Sequence, residues 1–390
     1  MAVSTTVADG VVNFAPPSIG HLEIDEVVAT MRSGWLSTGP RVREFERAFA
    51  EYIGVEHAVA VNSCTAALHL ALLASEIGPG DEVITTPLTF CATANVVVHT
   101  GATPVFADID PVTWNLSPAA AAAAVTPRSR AIIPVHYAGR PVDVAGMRAV
   151  AARAGLILIE DAAHAVEAVA AGRKIGTTGD FSCFSFYATK NLTTGEGGML
   201  TTSSREGAEY ARVAALHGMS RDAWARYGPN GSPHYDVVMP GYKYNMMDLQ
   251  AAIGLHQLAR LGPHLVRREA IWRMYDEALA GLPLTRPAPV AKGDRHARHL
   301  YTVLVAPESG WTRDALAAAM AKEGIATSVH FRALHLHPYY AQRFGLTRGM
   351  FPHAELVSDR VLSLPLSGGM SHADAGRVIE VLRRLMLGRA

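Results

Sequence analysis

"FSCFSFYATKNLTTGEGG", residues 181–198, decides the reading of this chain. An apolar β-type run leads into Tyr187, and a single lysine, Lys190, follows three positions later. Hydroxyl residues and a glycine pair close the stretch. An amine at the mouth of such a strand is partly desolvated. Burial penalises its charged form, lowers its pKa and frees a neutral nucleophile able to form a Schiff base. The plainer reading is a structural ion pair between Lys190 and Asp161.

Working outward, six more β-type runs flank this one: "HAVAV" (57–61), "EVITT" (82–86), "TPVFADI" (103–109), "AIIPVH" (131–136), "LILIED" (156–161) and "GMLTT" (198–202). Most are continuously apolar, as strands buried on both faces of a parallel sheet must be. Helix-like stretches such as "CTAALHLALLASEI" and "VDVAGMRAVAARAG" separate them and are long enough for crossovers. The expected fold class is α/β, with a mainly parallel seven-stranded sheet in a large domain, residues 1–255, whose first ~15 residues form an arm. Residues 256–390 read as an interdomain helix and a small α+β domain. There "MDLQAAIGLHQLARLGPHL…" is long helix with a break at Pro263, "HLYTVLVA" and "IATSVHF" are strands, Thr312 caps a helix, and a closing helix starts near Ser371.

Bulk properties narrow the function classes. Lys plus Arg (35) balances Asp plus Glu (35), which leaves no electrostatic footprint for nucleic acid or an anionic membrane. Apolar residues make up 49% and charged ones 18%, enough for a large core. Cys64, Cys91 and Cys183 lack metal-type spacing and read as reduced thiols. No apolar run approaches the ~20 residues of a membrane span, and the N-terminus lacks a signal-peptide pattern. A cytoplasmic protein is expected.

In doubly wound sheets ligands sit beyond the carboxyl ends of the strands. After "HAVAV", Ser63, Cys64 and Thr65 open a helix, where they either cap it or bind a phosphate. After "EVITT" comes Phe90, either core or a ring that stacks on a planar cofactor. Asp161 ends an apolar strand, with His164 close behind; the carboxylate needs a salt bridge, a helix to cap, or a cationic heterocycle nitrogen. Phosphate cup, stacking ring, carboxylate and lysine are together the parts pyridoxal phosphate requires. The HxH pair in "HLHPYY" (335–340) has no carboxylate or cysteine beside it in sequence, and no metal site is expected.

These residues, with "SGWLSTGP", "GDEVITTPLTF", "GATPVFADID", "IEDAAHA" and "GYKYNMMDLQAAIGLHQL", resemble the DegT/DnrJ/EryC1/StrS family of sugar aminotransferases over nearly the whole chain. "AIIPVHYAG", "GYKYN" and "HFRALH" are most similar to members that aminate UDP-4-keto-L-arabinose. The resemblance implies a fold-type-I homodimer with shared active sites and pyridoxal 5'-phosphate as a Schiff base on Lys190, which also shuttles a proton. It implies that Asp161 pairs with the pyridine nitrogen, Phe90 stacks on the ring and His164 lies near the 3-hydroxyl. Ser63, Cys64, Thr65 and Ser185 would hold the phosphate, joined by Asn245 of the second subunit. Trp35, Thr38, Tyr187, His330 and Arg332 are the expected substrate contacts, although His330 and Arg332 read equally well as salt-bridge partners. Family members that are sugar 3-dehydratases carry His in place of the lysine, so Lys190 favours transamination. The expected substrates are a nucleotide-linked ketosugar, aminated at C-4 (C-3 as runner-up), and glutamate (glutamine as the alternative). An aminocyclitol precursor, or a non-catalytic regulator with this fold, are the competing readings.

Overall fold

A computed structural model describes residues 10–220 and 235–388. Residues 1–9 of the expected arm lie outside them. The strands in chain order are β1 (His57–Val61), β2 (Glu82–Thr85), β3 (Thr103–Phe106), β4 (Ser129–Ile133), β5 (Ile157–Asp161), the two-residue β6 (Val169–Ala170) and β7 (Arg173–Lys174), β8 (Phe181–Ser185) and β9 (Gly198–Thr202). All but the β6–β7 pair form one seven-stranded sheet, ordered β1-β9-β8-β5-β4-β2-β3. β9 runs antiparallel to both of its neighbours, and the remaining pairs are parallel.

Alternation along the strands decides what each face receives. In β8, Phe184 and the following Phe186 turn to one side and meet Phe45 and Phe49 of the helix Pro40–Ile53, with ring centroids 5.1–5.5 Å apart. All four rings are fully buried. Phe181 and Cys183 turn to the other side, toward the helix Cys64–Ala74, and the parity carries Ser185 with them. In β5 the same rule separates two adjacent acids. Ile159 shares the face of the Cys64–Ala74 helix and takes Asp161 with it, whereas Leu158 and Glu160 face the opposite layer.

Glu160 is completely buried and fully served. Thr178 Oγ1 (2.6 Å), Ser182 Oγ (2.6 Å) and the Gly179 N–H (3.0 Å) donate to it. His136 Nε2 lies 3.4 Å away, its Nδ1 accepting from the Val142 N–H at 3.1 Å. Burial alone would raise the Glu160 pKa; His136 and the two hydroxyls outweigh it and hold the carboxyl below the usual range. A carboxylate depressed in the fold contributes stability above its unfolded pKa, and loses it as pH falls through the folded value. Glu160→Ala is therefore expected to cost about 3 kcal/mol at neutral pH by stranding its donors. The penalty should shrink toward acid pH in urea titrations of both proteins.

Beyond the sheet, helices Asp248–Ala259 and Leu261–Ala278 follow. The break falls at Arg260; Pro263 sits in the first turn of the second helix, where a missing N–H costs nothing. β10 (Leu284–Thr285), β11 (Tyr301–Val305) and β12 (Val361–Leu364) make an antiparallel three-stranded sheet. Thr312 and Ser371 cap the helices Arg313–Lys322 and His372–Leu387. The expected strand "IATSVHF" is not one: Ile325 makes an isolated bridge to Val12 and Ser328 another to Ser363. Its alternating pattern reflects contact with two different partners, one of them the N-terminal segment. No helix among the described residues is long and apolar enough to cross a membrane.

Candidate active site

The carboxyl ends of β1, β2, β5 and β8 open on one cavity of about 470 Å³. Ser63, Cys64, Thr65, Phe90, Asp161, His164, Ser185, Tyr187, Lys190 and His330 all line it, so ten of the expected site residues meet in one place.

Ser63 is the N-cap of the helix Cys64–Ala74: its Oγ accepts from the Ala66 N–H at 3.1 Å. The first-turn N–H groups and the positive end of the helix dipole therefore face the cavity. The β9 backbone presses against this turn. A Cβ at Gly198 would stand 2.4 Å from the carbonyl carbon of Ser63 and 2.6 Å from the nitrogen of Cys64, so only glycine permits the approach.

Asp161 is buried and accepts from Thr93 Oγ1 at 2.8 Å and the Ala163 N–H at 3.1 Å. Thr93 in turn bonds Thr89 at 2.8 Å. Burial pushes the Asp161 carboxyl upward, opposed by Thr93, Ala163 and the charge of Lys190. Such a group is incomplete without a further cationic partner.

Lys190 stands on a turn after β8, its N–H donating to Tyr187 O at 2.9 Å. Its pKa is brought down to about 8, chiefly by desolvation, with Cys64 and Asp161 pulling the other way. The following "LTTGEGG" folds back onto the strand end through Thr194 N to Phe186 O (2.9 Å) and Phe186 N to Gly197 O (2.8 Å). It carries Glu196 to the cavity wall.

His164 is buried, and its Nδ1 has no hydrogen-bond partner. Its ring stacks on Phe331 at 6.0 Å. Phe90 is 59% exposed at the mouth, 6.1 Å from Phe331, so it is not core.

Four expected residues lie elsewhere. Asn245 and Thr38 line a separate cavity of about 450 Å³, joined by a 2.7 Å hydrogen bond, with Trp35 Nε1 donating to Thr38 O at 2.9 Å. Arg332 is exposed and bonds Leu336 O at 2.8 Å, outside the Lys190 cavity. His335 of the HxH pair is buried against Glu355 at 2.9 Å. Glu196 and Phe331, which line the cavity, and Thr93, which bonds Asp161, are absent from the sequence-based set. Thr89 and Thr93, four apart in "TFCAT", carried a helical-spacing signal; Phe331 and Glu196 carried none of their own.

The chemistry on view fits pyridoxal phosphate: an anion-ready helix end, a buried carboxylate short of a cation, an orphaned imidazole nitrogen and a deprotonable lysine share one cavity. Fold and cavity together define the class, a pyridoxal-phosphate-dependent aminotransferase. The chain belongs to the DegT/DnrJ/EryC1/StrS aminotransferase family, whose profile matches residues 17–383. It is 53% identical over 377 residues to the spore coat polysaccharide biosynthesis protein SpsC of Bacillus subtilis, covering 96% of this chain and 97% of that one. Spr1654 from Streptococcus pneumoniae in its PLP form superposes with a TM-score of 0.90 at 34% identity, over 97% of this chain and 100% of that one. PseC, the Helicobacter pylori aminotransferase involved in pseudoaminic acid biosynthesis, superposes at 0.89 with 28% identity, over 97% and 100%.

Proposed function

We propose that this sugar aminotransferase moves the amino group of glutamate to the 4-keto carbon of a UDP- or dTDP-linked sugar in the cytoplasm, releasing 2-oxoglutarate. The observation that carries the reading is the meeting of Lys190, Asp161 and the Ser63–Thr65 helix end in one cavity wide enough for more than a cofactor. Pyridoxal phosphate, when bound, supplies the electron sink that lets one amino group pass between two carbonyl carbons.

The chain's own residues do the rest. Ser63, Thr65, the backbone at Cys64, and Ser185 would bind the phosphate with neutral donors and a helix dipole. Asp161, aimed by Thr93 and Ala163, would hold a proton on the cofactor's ring nitrogen. Phe90 would cover the cofactor ring, and His164, whose Nδ1 has no partner, would lie near its 3-oxygen. Lys190 would anchor the cofactor's aldehyde and, once displaced by the amino donor, its free amine would carry the proton to and from the donor's α-carbon. His330, Arg332, Tyr187, Trp35 and Thr38 are left to meet the donor carboxylates and the sugar nucleotide.

Glutamate-dependent turnover against UDP- and dTDP-linked 4-keto and 3-keto sugars, with an aminocyclitol ketone as control, tests the assignment. The 4-keto nucleotide sugars should be consumed fastest; turnover of the aminocyclitol ketone alone would move the enzyme to the rival substrate class.

We also assign a homodimer with shared sites. Helix His21–Ser33 leaves Leu22, Ile24, Val28 and Met31 exposed, and Asn245 stands outside the cavity of its own chain. Mixing Lys190→Ala and Asn245→Ala subunits should restore about a quarter of wild-type activity, because heterodimers carry one intact site. No recovery from mixtures shown to exchange subunits would place Asn245 outside the partner's site.

A further inference from the structure

Asn191, the neighbour of Lys190, reaches away from the cavity into a buried polar chain. Arg268 and Glu167 form an ion pair at 1% exposure each. Asn191 Nδ2 donates to Glu167 Oε2 at 2.8 Å and to the carbonyl of Ala297 at 2.9 Å. Both partners can only accept, so they use both amide hydrogens and leave Asn191 Oδ1 facing His299 Nδ1 at 3.2 Å. An amide oxygen can only accept as well. Nδ1 of His299 must therefore carry a hydrogen, and in the neutral ring Nε2 is then a bare lone pair. The His299 ring is 4% exposed and lies 4.6 Å from that of His164, tilted by 47°.

We infer that Asn191 and His299 are positioning residues: Asn191 ties the turn bearing Lys190 to the buried Arg268–Glu167 pair and holds His299 as the neutral Nδ1–H tautomer, whose ring sets His164 against the cavity. Burial drives the pKa values of His164 and His299 well below the ordinary range, and the charge of Lys190 pushes the same way. A neutral His299 thus adds no second cation beside the lysine, whose lowered pKa comes from burial. The inference rests on the assignment of Lys190 made above.

The direct test is nitrogen-15 spectroscopy of histidine-labelled apoprotein. His299 should appear as the neutral Nδ1–H tautomer throughout the neutral pH range, and Asn191→Leu should abolish that preference. A wild-type His299 found cationic, or as the Nε2–H form, overturns the inference. In kinetics, His299→Leu and Asn191→Leu should lower kcat by about 10- to 100-fold with little change in the glutamate KM. His299→Gln keeps an N–H for Asn191 Oδ1 and should stay within about threefold. Loss of thermal stability with kcat intact would show a merely structural role and sink the proposal. If a variant fails to fold, the wild-type tautomer still decides. An active Lys190→Ala enzyme would remove the assignment of the lysine while leaving the tautomer result to be judged alone.

Discussion

Lys190→Ala should lower kcat by at least about a thousandfold, because in the mechanism proposed above the same amine serves as covalent anchor and as proton carrier. The protein should still bind pyridoxal phosphate, since the helix end, Asp161 and His164 are untouched, but should lose the absorbance of a lysine-bound cofactor. Its pH behaviour follows from burial. The ammonium is the penalised form, so the folded-state pKa falls from 10.5 to about 8. The neutral fraction therefore grows as pH rises through about 8, and capture of an aldehyde probe by wild-type apoprotein should climb between pH 7 and 9 and then level. Climbing that continues past pH 10 would describe an exposed lysine, and full activity of the alanine variant would remove Lys190 from the chemistry.

Asp161→Asn should lower kcat by roughly 10²- to 10³-fold, since an amide cannot hold a proton on the ring nitrogen by charge. Stability should move the other way. Burial raises the folded pKa of Asp161 above its unfolded value, so its charge disfavours folding of the apoprotein, increasingly as pH rises through that window. The Asn variant should thus be at least as stable as wild type in apo form at neutral pH. A variant within tenfold of wild-type kcat, or one markedly less stable as apoprotein, would mark Asp161 as structural.

Much of this was readable from the chain. Apolar runs bounded by turns located the seven sheet strands, because strands covered on both faces need no alternation to be recognised. The parity that sends Asp161 and Glu160 to opposite layers is also written in the sequence, yet Glu160 went unread because nothing local distinguishes a charge served by three donors from later in the chain. β12 was missed because it follows the helix Pro352–Arg360 without a turn residue, Val361 being at once helix C-cap and first strand residue. Thr93, Asn191 and His299 matter through contacts made only after the chain folds; His299 and Asn191 are over a hundred positions apart. Asn245, expected to serve from the second subunit, and Thr38 gather at a second cavity.

The antiparallel strand of the seven-stranded sheet has a consequence for the order in which the site is built. β8 and β9 are sequence neighbours joined by the lysine loop, a hairpin that needs no distant segment to close. The Ser63–Thr65 turn follows β1, which docks on the outer edge of that hairpin from the far end of the sheet's sequence. Loop-closure entropy makes the second pairing the slower one. A nascent chain should therefore shape its lysine loop early and acquire the anion cup late. Cofactor uptake then reports that β1 has arrived, and pyridoxal phosphate in the medium acts as a latch on the last long-range closure of the sheet.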